Sequence, residues 1–215
     1  MRYEGRIYRP PSEARSVLIQ LTVGCSHNRC AFCAMYNDKK YRVRPLDEVW
    51  EDVDAAARAY PYARRVFICD GDALSAGAET FAALCEHIGK RFPNLERIAA
   101  YTNARDILRC SADDLKRLRA LRFSMAYLGL KSGGAKVLER IRKGATPEDM
   151  IAMAQAVHGA DIALSAIVLL GAGGAALTED HIRGTIAAVN AMQPEYLSFL
   201  TAMIVPTTPL MTWVE

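Results

Sequence analysis

The stretch SVLIQLTVGCSHNRCAFC, residues 16–33, joins an apolar, β-branched run to a loop that carries three cysteines. Five further apolar runs follow along the chain, with amphipathic segments between them. These runs are nearly continuous in hydrophobicity, which is typical of parallel strands that are buried on both faces. We therefore predict six strands, at residues 16–22, Arg65–Cys69, Arg97–Thr102, residues 123–128, Ala163–Leu170 and Tyr196–Thr201.

Helices are predicted between these strands. Apolar residues at helical spacing indicate helices at Leu46–Ala59, Ala78–Arg91 and residues 177–192. Ser111 and Asp114 form a capping-box pattern at the start of another helix, and Thr146 precedes a proline in the manner of an N-cap. Strand and helix alternate about six times, which requires a parallel sheet with right-handed crossovers, either an open doubly wound sheet or a barrel.

The composition excludes several classes of protein. The chain has 215 residues, of which 51% are hydrophobic, and a net charge of +3. Such a chain is too apolar and too weakly charged to be disordered, and it is long enough to bury a sizeable core. No apolar run reaches the roughly 18 residues that a membrane span needs, and residues 1–15 lack the apolar core of a secretory signal. We expect a cytoplasmic protein with no membrane contact, and its mild charge does not argue for nucleic acid.

Three of the six cysteines, Cys25, Cys30 and Cys33, lie within nine residues of each other. Their loop follows the first strand and so lies at the C-terminal edge of the sheet, where α/β folds keep their active sites. Thiolates favour zinc, Cu(I) or iron–sulfur groups. Three metal sites fit this spacing: zinc with His27 as fourth ligand, a [2Fe–2S] group with Cys69 as fourth ligand, and a [4Fe–4S] cluster with three protein ligands and one open iron.

The cysteine loop and four later segments together resemble the radical S-adenosylmethionine (radical SAM) superfamily. The four segments follow successive predicted strands and are ICDGDAL at residues 68–74, YLGLKSG at residues 127–133, VLERIRKG at residues 137–144 and SAIVLLG at residues 165–171. The resemblance covers the chain from about residue 15 to residue 210. The loop has the spacing C-x4-C-x2-C where the common spacing is C-x3-C-x2-C, and it is similar to a subset of the superfamily with a GCSHNxCxFC loop.

This resemblance implies a partial (β/α)6 TIM-like barrel of parallel strands, with Cys25, Cys30 and Cys33 holding a [4Fe–4S] cluster. It implies an oxidoreductase in which the reduced cluster cleaves S-adenosylmethionine (SAM) to methionine and a 5′-deoxyadenosyl radical, which takes hydrogen from an unknown substrate. A one-electron donor such as flavodoxin or ferredoxin is implied as a partner. The residues implied to contact SAM are Phe32, Asp70, Gly71, Asp72, Lys131, Ser132, Arg142 and Ile167.

Two segments depart from the pattern of the superfamily, at three positions. Asp70 and Asp72 stand where the family has a Gly-Gly-Glu segment that meets the amino group of SAM. Lys131 stands where many relatives have Glu, so a cation there could instead meet the carboxylate of SAM.

The basic run at residues 39–44 is either a solvated face or an entrance for an anionic substrate. Free N–H groups at Ser132 and the two glycines after it would attract an anion.

Two other functions stay open. One is a non-catalytic iron–sulfur or zinc-binding α/β module. The other is a radical SAM enzyme that modifies tRNA, which would add a nucleic-acid partner to a substrate otherwise expected to be a small molecule. We expect residues 1–215 to form a single core domain, with residues 1–15 as a lead-in. Residues 206–215 have no partner element, and we expect them to begin a C-terminal segment that is truncated here.

Overall fold

The computed structural model describes residues 1–213. Its strands are β1 (Val17–Gln20), β2 (Thr22–Val23), β3 (Arg42–Val43), β4 (Arg65–Cys69), β5 (Arg97–Thr102), β6 (Phe123–Lys131), β7 (Ala163–Leu170) and β8 (Tyr196–Thr201). Six of them form one sheet in the order β1-β4-β5-β6-β7-β8, and every neighbouring pair is parallel. The order in the sheet follows the order in the chain, so each strand returns beside its predecessor through a crossover.

The crossovers are helical. The helices are α1 (Leu46–Ala59), α2 (Ala78–Arg91), α3 (Ala104–Ile107), α4 (Ala112–Ala120), α5 (Ala135–Arg140), α6 (Pro147–Gly159) and α7 (Thr178–Met192), with short 3-10 helices at Pro11–Glu13, Ala73–Ala76 and Pro209–Trp213. The predicted caps are confirmed. Ser111 and Asp114 exchange side-chain and backbone hydrogen bonds at the start of α4, and Thr146 does the same with Asp149 at the start of α6.

Alternate residues of the strands serve two separate apolar clusters. Val66 and Ile68 of β4 belong to the large cluster that the helices cover. Phe67 and Cys69, on the opposite face, join Tyr127 and other inward residues in a smaller second cluster. An inner cluster enclosed by the strands and an outer one covered by helices are the layers of a barrel wall. The predicted partial (β/α)6 TIM-like barrel is therefore confirmed.

Two strand boundaries differ from the prediction. The first predicted strand is divided, because the Leu21 N–H makes the last hydrogen bond to β4, at the Cys69 carbonyl, and the next two residues pair with β3 instead and form β2. Strands β2 and β3 pair antiparallel and hold the cysteine loop between them. Strand β6 runs three residues further than predicted, to Lys131, with an irregular register against β7 after Leu128. Both changes lie at the edge of the sheet where the cysteines are found.

The two outer strands of the sheet have different surroundings. The N-terminal lead-in crosses the β1 side, where the Tyr3 hydroxyl donates to the Leu18 carbonyl. It also supplies the buried Glu13, which pairs with Arg97 and accepts a hydrogen bond from Tyr127. In β8 every residue is exposed. Within residues 1–213 we find no helix with the length and apolar content that a membrane span requires.

Candidate active site

A cavity of about 220 Å³ opens at the C-terminal end of the barrel strands, and all three clustered cysteines line it. The lining residues come from the cysteine loop, the ends of β4 to β8 and the turn after α5; they are Cys25, Asn28, Cys30, Phe32, Cys33, Met35, Tyr36, Gly71, Tyr101, Thr102, Asn103, Tyr127, Gly129, Lys131, Lys143, Ile167 and Leu200. The cysteines are partly buried and form no disulfide. The topology thus gathers three soft ligands at one wall of a mostly apolar chamber.

The cysteine loop is fixed against the turn that follows α5. The Ala31 N–H donates to the Ile141 carbonyl at 2.9 Å, and His27 Nε2 lies 2.8 Å from the Arg142 carbonyl oxygen. Gly144 has a φ of +73°, and a Cβ there would lie 2.4 Å from His27 Cε1. A side chain at this position would therefore be strained by its backbone and would also displace the loop.

Asp70 lies directly behind the loop and is fully buried. Its Oδ2 accepts hydrogen bonds from Gln20 Nε2, the Gly24 N–H and Lys39 Nζ, each at 2.9 Å. Its Oδ1 is buried and has no partner among the described residues. The carboxylate therefore ties the start of the loop to β1, and it keeps one acceptor free.

Asp72 holds the other side of the loop. Its carboxylate accepts hydrogen bonds from the Ser26 N–H at 3.0 Å, from the Ser26 hydroxyl, and from Asn103 Nδ2 at 2.9 Å. Burial raises the pKa of Asp72 to about 6, although these hydrogen bonds oppose the rise. The side chain that follows Cys25 in sequence is thus fixed to the end of β4.

Lys131 ends β6 with a φ of +67°, and its side chain folds back over Gly129. A Cβ at Gly129 would lie 3.0 Å from Lys131 Cε, so the glycine leaves room for this path. The ammonium lies 5.9 Å from the centre of the Phe32 ring. Burial, and secondarily the charge of Lys143, lower the pKa of Lys131 to about 8.

The residues predicted to contact SAM divide into two groups. Phe32, Gly71, Lys131 and Ile167 line the cavity. The other four, Asp70, Asp72, Ser132 and Arg142, do not belong to its lining; Arg142 lines a more open depression of about 500 Å³ on the outer side of the loop.

The Ser132 turn is occupied by protein contacts. The Ser132 hydroxyl accepts from the Gly134 N–H and lies 2.9 Å from His181 Nδ1, and the Gly133 N–H donates to Thr185. A Cβ at Gly133 would lie 2.2 Å from the Gly184 carbonyl oxygen of α7. The glycines there permit close packing against α7, and the N–H groups predicted to attract an anion are already hydrogen-bonded.

The structure does not assemble the zinc or the four-cysteine alternative. Cys69 is buried behind the cavity wall, and its thiol lies 3.9 Å from the Phe67 carbonyl oxygen. His27 contacts the Arg142 carbonyl. Within residues 1–213, no three His, Cys, Asp or Glu side chains converge on the position of a single metal ion. The three thiols at one wall of the chamber remain as its soft ligands.

The basic run at residues 39–44 is divided between buried and exposed side chains. Lys39 pairs with Asp70, and Arg44 pairs with Asp52 at 2.7 Å, all four side chains being buried. Lys40 and Arg42 are exposed, so the prediction of a solvated face holds for these two residues. The sequence analysis missed Tyr36 and Tyr101 in the cavity lining. Tyr36 lies three residues after Cys33, which could have suggested it, whereas nothing local marks Tyr101 as an inward residue of β5.

Comparison with known proteins adds three observations. A model of the radical SAM superfamily matches residues 19–189. The search of curated proteins gave no match. Among solved structures, the chain is similar to methylornithine synthase (14% identity, 91% of this chain and 55% of that one, TM-score 0.67). It is also similar to coproporphyrinogen III oxidase from Escherichia coli, at 16% identity over 91% of this chain and 47% of that one, with a TM-score of 0.67. A third similar structure is the cobalamin-dependent S-adenosylmethionine radical enzyme OxsB, at 16% identity over 94% of this chain and 35% of that one, with a TM-score of 0.70.

The structural matches cover most of this chain but only part of the others. The chain spans between 35% and 55% of the length of these three structures. At identities of 14% to 16% the likeness is one of fold. The family assignment comes from the matching superfamily model, which spans well over half of the chain.

Proposed function

This chain belongs to the radical SAM superfamily of enzymes, and from that membership we propose that Cys25, Cys30 and Cys33 hold a [4Fe–4S] cluster and that SAM binds beside it. The observation that carries the proposal is that the three thiols line one cavity at the C-terminal end of the strands. Active sites of βα barrels occur at this end.

The chemistry of the residues fits the cluster. Three soft thiols without a fourth protein ligand leave one coordination position of a cluster open, as an open position distinguishes catalytic from structural zinc. Gly71 allows Cys25 and Tyr36 to pack closely against the end of β4, since a Cβ there would lie 3.0 Å from Cys25 Cβ and 2.8 Å from Tyr36 Cε2. Burial raises the pKa of Cys25 to about 11 and also raises that of Cys30. Ligation must displace these thiol protons, which makes cluster binding favour higher pH.

When bound, the reduced cluster supplies the electron that breaks the C5′–S bond of SAM, giving methionine and a 5′-deoxyadenosyl radical that takes hydrogen from the substrate. The residues of the chain position the reactants and keep water out. Phe32 and Ile167 offer apolar surface for the adenine ring of SAM, and the buried strand residues behind them exclude water from the reacting atoms.

The polar groups predicted to meet the methionine part of SAM differ in their position. Asp70 stays a prediction of contact with the amino group: its Oδ1 has no hydrogen-bond partner among residues 1–213, and its carboxylate lies behind the loop, outside the cavity lining. Lys131 suits a carboxylate, as expected from its replacement of the usual Glu. Asp72, Ser132 and Arg142 remain predictions of SAM contact, and their groups already serve the loop, the α7 packing and the outer depression.

The test is anaerobic reconstitution with iron and sulfide, followed by dithionite and SAM. We expect 5′-deoxyadenosine as a product. Cys30→Ala should abolish both the cluster absorbance and the product, because only two thiol ligands remain. Cys110→Ala is the matched control, since Cys110 is also partly buried but lies outside the cavity, and it should keep both. A wild-type protein with a full cluster that forms no 5′-deoxyadenosine would refute the proposal.

A further inference from the structure

The candidate cavity contains two lysines and no acidic side chain among the described residues. Lys131 and Lys143 both line it, whereas no Asp or Glu does. Lys143 is 92% buried, with 8% of its surface exposed. In the described part of the chain, neither ammonium has a hydrogen-bond or ion-pair partner. Elsewhere in the protein, the buried cations Lys39 and Arg44 each contact a carboxylate.

The two lysines approach the cavity from different elements. Lys131 folds down from the end of β6 over Gly129, and Lys143 lies in the turn after α5 that carries the cysteine loop. The charge of Lys143 contributes to the lowered pKa of Lys131. Two like charges held in a partly desolvated chamber without a counterion lower the stability of the fold. A bound anion would pair with them and so reduce this loss of stability.

A third donor that lacks a partner among residues 1–213 also belongs to the cavity lining. Tyr36 is 4% exposed, lines the cavity, and its hydroxyl is buried without a hydrogen-bond partner. A buried hydroxyl without a partner costs free energy unless a ligand supplies the acceptor. Two ammonium groups and a phenol therefore surround the chamber, and all three lack an acceptor.

The cofactors of the proposed function do not supply enough negative charge. A cluster core with two positive charges and three thiolate ligands carries one net negative charge. SAM carries one net positive charge, from its ammonium, its carboxylate and its sulfonium. With this oxidised cluster the two together are neutral, and with the reduced cluster they carry one net negative charge, so at least one of the two lysine charges is left without compensation. The carboxylate of SAM can meet only one of the two lysines.

We propose that the substrate is an oxyanion, a carboxylate or a phosphate, and that Lys143 binds its charged group with Tyr36 as a second donor. This inference rests on the proposed function, because it assigns Lys131 to SAM and leaves Lys143 for the substrate. Carboxylates and phosphates share the chemistry that the site offers, namely acceptor oxygens with negative charge. A neutral substrate would leave Lys143 buried without a counterion.

The experiment measures binding of probe anions to the cluster-loaded protein with saturating SAM, by calorimetry at fixed ionic strength. Pyrophosphate represents phosphates, succinate represents carboxylates, and succinamide is the neutral counterpart of succinate. We expect at least one of the two anions to bind more tightly than succinamide. Lys143→Gln should weaken that anion about tenfold, as expected for loss of one charge-assisted hydrogen bond, and Lys143→Arg should restore most of the affinity. Lys116→Gln, an exposed lysine of α4, is the charge-matched control and should change nothing.

Three results would overturn the inference. The first is equal binding of both anions and succinamide. The second is an equal effect of Lys143→Gln and Lys116→Gln. The third is a fall in SAM affinity in Lys143→Gln as large as the fall in anion affinity, which would assign Lys143 to the carboxylate of SAM. If Lys143→Gln fails to fold, Tyr36→Phe replaces it, because it removes only a hydroxyl that has no hydrogen-bond partner among residues 1–213 and should weaken anion binding about threefold. Because binding is the readout, absence of 5′-deoxyadenosine would count against the proposed function and leave the anion measurement intact.

Discussion

Lysines are buried in two regions of this protein, and the two regions treat the charge in opposite ways. Behind the cysteine loop, Lys39 Nζ lies 2.9 Å from a carboxylate oxygen of Asp70, with 3% and 0% of the two side chains exposed. In the cavity in front of the loop, Lys131 and Lys143 have no carboxylate beside them in the part of the chain that the structure describes. The charge of Lys39 is paired by folding alone, whereas the charges of Lys131 and Lys143 are paired only when a ligand binds.

This difference distinguishes a charged residue that stabilises the fold from one that serves to bind a ligand. A buried ion pair with further hydrogen bonds fixes geometry, and breaking it leaves an uncompensated charge. A buried cation without a partner lowers the stability of the fold, and such a cost is characteristic of a site prepared for a ligand. The two regions therefore predict opposite effects of removing a lysine.

The largest effect is expected for Lys39→Met. It leaves the carboxylate of Asp70 buried without its cation, and we expect a loss of about 3–5 kcal/mol in the free energy of unfolding. Urea unfolding under anaerobic conditions measures it. The neighbouring Lys40 is exposed and provides the matched control, since Lys40→Met should change stability by less than about 0.5 kcal/mol. Equal effects of the two substitutions would show that the ion pair between Lys39 and Asp70 does not stabilise the fold.

Lys131→Met should act in the opposite direction. The fold gains when an apolar side chain replaces an unpaired cation, and we expect about 1 kcal/mol of added stability at pH 7. The pKa of Lys131 is lowered to about 8, so the unfolded chain keeps this proton to higher pH than the folded one. The cost of the charge is therefore fully present below about pH 8 and disappears as the pH rises towards the ordinary lysine value.

The advantage of Lys131→Met over the wild type should consequently shrink between about pH 8 and pH 10.5. Urea midpoints measured across this range for both proteins test the expectation. An advantage that grows with pH, or a variant less stable than the wild type at pH 7, would show that Lys131 has a partner within the fold.

Much of the barrel could be predicted from the sequence because its strands are apolar on both faces. The bounds of β4, β5, β7 and β8 are as predicted, and the first three of these runs end at polar residues or glycine. The prediction failed where tertiary contacts decide the structure. The pairing of Thr22 and Val23 with β3 divides the first run, and no local pattern indicates it.

The candidate site divides in the same way. The three cysteines are close in sequence, so their gathering could be predicted from one loop. The pairing of Lys39 with Asp70 joins positions 31 residues apart, and a basic run offers no sign that its first lysine is buried. The sequence around Lys143 fits a contact to a carboxylate or substrate and a solvated helix end equally well, because only the packing of the cysteine loop on its turn places Lys143 in the cavity.

The smallest effect on stability is expected for Gly129→Ala, and it tests the path of Lys131. The new Cβ would lie 3.0 Å from Lys131 Cε, which is flexible enough to move aside, so we expect a stability change within about 0.5 kcal/mol. The ammonium should nevertheless shift away from Phe32, and SAM affinity should fall about threefold if Lys131 holds its carboxylate. Gly89→Ala is the control, because a Cβ there meets nothing within 4 Å and helix α2 should gain about 0.5–1 kcal/mol. An equal loss of SAM affinity in both variants would show that Lys131 does not bind the carboxylate of SAM. Lys143 would then be the one lysine of the cavity that still supports the distinction between the two regions.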